Sequence, residues 1–105
     1  MMKVSKAYQL FQQEAPAVHK AWMETVHSLE QDSALDKKTK ELAYLAVLAA
    51  TRLDSGLPFH VKMAKASGAT REEVISSILA GLPAVGNVVI QSLPAALEAY
   101  DESLQ

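Results

Sequence analysis

The sequence predicts an all-α fold, a bundle of five to six helices whose C-terminal helix is broken. Three observations predict it. Alanine and leucine dominate, while glycine and proline number only four each in 105 residues; alanine and straight side chains lose little rotamer freedom in a helix. Apolar residues recur every three to four positions along most of the chain, the period of one helical face. No Asn-Gly or Asp-Gly pair marks a hairpin between strands.

The first helix is expected from about Ser5 to Glu14, with Tyr8 and Phe11 on its apolar side. Pro16 breaks it and opens a second helix, because proline is tolerated where the first-turn amides have no intrahelical acceptor. That helix runs to about Glu30 with Val18, Trp22, Val26 and Leu29 on one face. Asp36 is an N-cap for a third helix reaching about Leu53. Within it, Leu42 to Ala50 reads LAYLAVLAA without a charge. A surface helix keeps a polar face, so this run is expected either at the centre of the domain or in a subunit interface.

A turn over Thr51 to Pro58 precedes a fourth helix, capped by Asp54 or Ser55 and ended by a left-handed Gly68. Thr70 with Glu73 three residues on is a capping-box pattern and starts the fifth helix. Gly81, Pro83 and Gly86 interrupt it, so a break is expected between Ala80 and Gly86. A short helix from Pro94 to Glu102 closes the chain. Residues 1–105 read as a single domain without repeats or linkers, large enough to bury roughly 65% of its unfolded surface.

Composition removes several classes of function. Half of the residues are hydrophobic, which argues against intrinsic disorder. The net charge is −2 and no basic stripe is visible, so a nucleic-acid partner is not expected. There is no cysteine, which removes disulfides, thiolate metal sites and dithiol redox cycles. HExxH and other metal-spaced clusters are absent too, so no metal or cofactor is expected. No apolar run has the length of a signal-peptide core or a membrane span, and the expected setting is cytoplasmic without a membrane partner.

Three histidines remain. His19 and His27 lie two turns apart on the second helix and read as ordinary helix residues. His60 follows a tight turn near a helix start. Glu41 begins the third helix, where the helix dipole favours an acid. If helices three and four were plain antiparallel neighbours, Glu41 would lie far from His60 within one chain. The two are then expected to meet only through a steep crossing or across an interface.

Longer stretches carry a resemblance. EAPAVHKAWMETVHSLEQDSALDKKTKELAYLAVLAA begins at Glu14, and HVKMAKASGATREEVISSILAG follows after a gap. The specific parts are ALDKKTKELA, a histidine nineteen residues after its glutamate, GATREEV and the tail LPAALEAY. Over residues 14 to 102 this resembles the carboxymuconolactone decarboxylase family, and more closely its alkyl hydroperoxidase D-like branch. The redox members of that branch carry Cys-x-x-Cys-x-x-x-His. The same frame here places Leu53 and Gly56 at the thiol positions and His60 at the histidine, with Glu41 matching the family's glutamate.

Several expectations follow from the resemblance. Leucine and glycine cannot form a sulfenic acid or mixed disulfide, so peroxidase chemistry by the family mechanism is excluded. The first expectation is a non-redox oligomer, trimer or hexamer, with a small-molecule pocket. The second is a lyase on a small carboxylated lactone, with Glu41 and His60 handling protons and Arg52 and Ser55 contacting substrate. The third is a non-catalytic module that binds a partner.

Overall fold

The computed structural model describes residues 4–102. Four helices, α1 (Lys6–Glu14), α2 (Pro16–Asp32), α3 (Lys37–Ala50) and α4 (Leu57–Ala66), precede a fifth built of joined pieces. Its pieces are α5 (Arg71–Ile78), a 3₁₀ turn, the short α6 (Leu82–Val85), a 3₁₀ stretch over Gly86–Ser92, and α7 (Leu93–Asp101). The all-α expectation and the broken C-terminal helix both hold.

Local chemistry sets the boundaries. Ser5 and Asp36 accept from the amides of Tyr8 and Thr39, capping α1 and α3. Pro16 and Pro58 occupy the first turns of α2 and α4. Gly56, rather than Asp54 or Ser55, holds the cap position of α4; those two residues are drawn into a 3₁₀ turn instead. The third helix ends at Ala50, three residues earlier than expected, because Arg52 turns left-handed at φ 61°. Gly68 ends α4 at φ 97°, where a side chain would be strained. Thr70 and Glu73 form both bonds of the capping box.

The core lies among α3, α4, α5 and α7, with α3 and α7 each packed on both α4 and α5. Leu45, Leu48, Leu57, Val61, Val74, Ile78 and Val89 fill it, and alanines at 49, 64, 96 and 99 let the helices approach closely. The carboxyl end of α7 is tied back to α4 and α5. Lys62 Nζ is buried, donates to Ala99 O at 3.2 Å and pairs with Glu102 at 2.8 Å. Lys65 Nζ donates to Tyr100 O, and Arg71 makes a two-bonded pair with Asp101. Lysines at the last carbonyls of a helix satisfy groups with no partner of their own.

By length and mean hydropathy (1.7), the joined run Arg71–Asp101 meets the criterion for one membrane-crossing helix. It is not straight. Gly86 takes φ 65°, α5 packs on α7, and the residues at its two ends bond to each other at 2.9 Å. A run whose ends touch spans no bilayer. Neither α1 nor α2 contributes a buried residue. They pack on each other through Tyr8, whose hydroxyl meets His19 Nε2 at 2.8 Å and donates to Met23 Sδ.

Candidate functional site

Glu41 sits one turn into α3, buried by the helices around it. His60 sits one turn into α4. Contrary to the separation expected from antiparallel neighbours, one chain brings them together: His60 Nδ1 lies 3.5 Å from Glu41 Oε1. The turn between the helices explains the difference. Leu53 N–H bonds back to Leu48 O, and Gly56 rests against the Leu48 side chain. Helix α4 therefore starts beside Leu48 instead of beyond Ala50. Two turns separate Leu48 from Glu41 and one turn separates Gly56 from His60, about 10 and 6 Å of rise. The long carboxylate and imidazole side chains cover what remains.

At 3.5 Å the contact is an ion-pair distance and too long for a good hydrogen bond. Glu41 Oε1 and His60 Nδ1 are accordingly buried atoms without a hydrogen-bond partner. Groups of this kind are costly to leave unmet in a folded protein. The His60 side chain is 27% exposed, so the pair stands at the surface end of the core and not inside it. Nδ1 is the buried nitrogen, and Nε2 is the one left for a ligand.

Two aromatic rings frame the imidazole. Tyr44 approaches with ring centroids 4.3 Å apart and Phe59 with 5.1 Å, both edge to face. Sequence reading passed over Tyr44. Its signal was available: it follows Glu41 by three positions, hence on one helical face, and is the only aromatic in the apolar run.

The other expected site residues lie elsewhere. Arg52 Nη2 is bound to Asp54 Oδ2 at 2.9 Å, and Asp54 Oδ1 in turn accepts from the buried Ser92 Oγ at 2.7 Å. This chain locks the α3–α4 turn to the final helix and occupies the guanidinium. Ser55 is exposed and makes no side-chain hydrogen bond. Leu53 is exposed, and Gly56 backs onto Leu48 with His60 Cδ2 3.9 Å from where its Cβ would stand. Among the described residues no cluster of His, Asp and Glu is arranged to hold a metal ion. An open groove of about 480 Å³ runs between α3 and α5, past Thr39, Leu42, Ala43, Ala46, Ser76 and Ala80, and includes neither member of the pair.

An all-helical domain with a glutamate on α3 facing a histidine on α4 across a short turn defines a class, and the sequence comparison names it. Residues 16–99 match the carboxymuconolactone decarboxylase family, and the chain belongs to that family. It does so without the family's Cys-x-x-Cys pair. Among solved structures it is similar to apo-lpg0406, a carboxymuconolactone decarboxylase family protein from Legionella pneumophila. The two share 28% identity at a TM-score of 0.77, over 90% of this chain and 85% of that one. No curated protein matches the chain.

Proposed function

We propose that this chain is a non-redox member of its family that binds a small molecule beside Glu41 and His60 and moves a proton on it. One observation carries the reading: a carboxylate and an imidazole are held 3.5 Å apart, each with a buried atom that lacks a hydrogen bond. Glu41 orients the ring through Nδ1, and Nε2 gives or takes the proton. Catalytic contacts of this kind are often long in an empty site and tighten around a ligand. Tyr44 and Phe59 supply apolar walls for a small, mostly uncharged substrate. A homo-oligomer in a cytoplasmic setting belongs to the same reading.

The lyase alternative on a carboxylated lactone is less well supported. A multiply anionic substrate needs a free cation, and Arg52 is already held by Asp54. The partner-binding alternative draws on the two helices that bury nothing.

A thermal-shift screen of neutral and singly charged carbonyl compounds, followed by turnover assays on the hits, tests the proposal. His60→Ala is expected to abolish turnover, and Glu41→Gln to lower it by about 10²- to 10⁴-fold, the usual range for loss of acid–base assistance. Glu41→Gln should also loosen the preference for a proton on Nδ1, seen in the ¹⁵N shifts of the imidazole. Dithiol-dependent peroxide consumption by the unaltered chain would overturn the non-redox assignment.

A further inference from the structure

The bend just past the end of α3 is strained. Among the described residues Arg52 alone, glycines aside, has a positive φ, 61°. That conformation crowds the Cβ of any L-residue and persists where the surroundings over-determine it. Asp54 supplies the constraint. Its Oδ2 holds Arg52 Nη2 at 2.9 Å, and its Oδ1 accepts from Ser92 Oγ at 2.7 Å. An exposed ion pair contributes little by itself. Ser92, however, is wholly buried, at the start of α7 and 38 residues along the chain. Breaking its bond would orphan a buried hydroxyl, which is costly. The carboxylate therefore anchors the left-handed bend to the interior of the molecule.

The bend decides where along α3 the next helix begins. His60 follows Asp54 by one 3₁₀ turn and one turn of α4. A slip of one residue in that start moves the ring by about 1.5 Å, enough to part an imidazole and a carboxylate that stand 3.5 Å apart. We propose that Asp54, braced by Ser92, is a positioning residue for the Glu41–His60 pair: it keeps the bend at Arg52 left-handed and thereby fixes where the imidazole stands against the carboxylate. Its catalytic meaning rests on the reading of that pair as the functional site. The side-chain bonds of Asp54 go to Arg52 and Ser92 and to neither member of the pair, so any effect on His60 travels through the bend.

The imidazole ¹⁵N shifts of His60 test this without a substrate. Asp54→Ala should move them toward those of Glu41→Gln in a chain still folded by circular dichroism. Ser92→Ala, which leaves the ion pair and cuts only the anchor, should move them in the same direction. Glycine takes the left-handed bend without strain, so adding Arg52→Gly to Asp54→Ala should return the shifts most of the way to those of the unaltered chain. Thr70→Ala, a loss of stability remote from the bend, should leave them unmoved, which separates positioning from stability. On any substrate the screen yields, Asp54→Ala should lower kcat by roughly ten- to a hundredfold with little change in KM, the scale of misplacing a reacting group by about an ångström. A folded Asp54→Ala or Ser92→Ala chain with unaltered His60 shifts would overturn the proposal, as would equal shifts in Thr70→Ala or a double variant that glycine does not rescue. If Asp54→Ala fails to fold, Ser92→Ala and the double variant carry the same test. Shifts that respond as described while His60→Ala leaves turnover unchanged would count against the acid–base reading alone.

Discussion

Glu41 Oε1 and His60 Nδ1 face each other with no third group between them to satisfy either. Such a gap persists because packing fixes both side chains, and under the function proposed above a small molecule bridging it would tighten the contact. Gly56 is the other informative residue. Its φ is −87°, ordinary for any amino acid, and a Cβ there would make normal contacts with Leu48 and His60. The position of the family's second thiol is therefore vacant of sulfur but not closed to it. Gly56→Cys should fold with stability within about 1 kcal/mol of the original, because a Gly-to-larger change at a compatible φ also restricts the unfolded chain. Its thiol should react readily with a disulfide reagent; a variant that unfolds, or a thiol inert until denaturation, would refute this. Both members of the pair were legible as residue types at matching positions. Their contact was not, because it depends on how far the turn folds back along α3, and that is decided by Leu53, Leu48 and Gly56 together.

At the scale of elements, caps and terminal ion pairs carry the boundaries, and four carboxylates in them sit below their ordinary pKa. The Thr39 amide holds Asp36 down, the Thr70 amide Glu73, the Arg71 guanidinium Asp101 and the Lys40 ammonium Glu30. With the folded value below the unfolded one, the unfolded chain binds more protons in acid, so stability rises with pH through this window. The contribution is fully present above about pH 4.5, where the unfolded carboxylates are ionised, and is lost as pH falls through the lower folded values. Melting temperature should accordingly drop between pH 6 and pH 3, and Glu73→Gln should flatten that acid limb. Thr70→Ala, which removes the oxygen capping α5, should cost about 1 kcal/mol in denaturant melts. Elements were the most readable level: Asp36, Pro16, Thr70 with Glu73, and Gly68 each act through bonds to near neighbours in the chain. The cap of α4 was misplaced because Asp54 is committed to Arg52 and Ser92, the latter 38 residues away.

Over the whole molecule, burial is uneven. Helices α3, α4, α5 and α7 share one core, and the buried Lys62 together with Lys65 and Arg71 fastens the end of α7 to it. The apolar run Leu42–Ala50 was expected either at the centre or in an interface, and one side of it lies at the centre. Leu45, Leu48 and Ala49 are buried while Tyr44 and Val47 remain open. Periodicity marked the run as apolar all round, but which side meets the core depends on α5 and α7 arriving from the far end of the chain. Lys62 gave no signal of its own, since a lysine next to an apolar face normally reaches water. The 26 residues of α1 and α2 stand apart from all this. Backbone amides exchange with deuterium through the cheapest opening available to them, and segments with few buried contacts open without the rest. In dilute protein the amides of α1 and α2 should take up deuterium first, while those of α4 and α7 wait for the entire core to come apart.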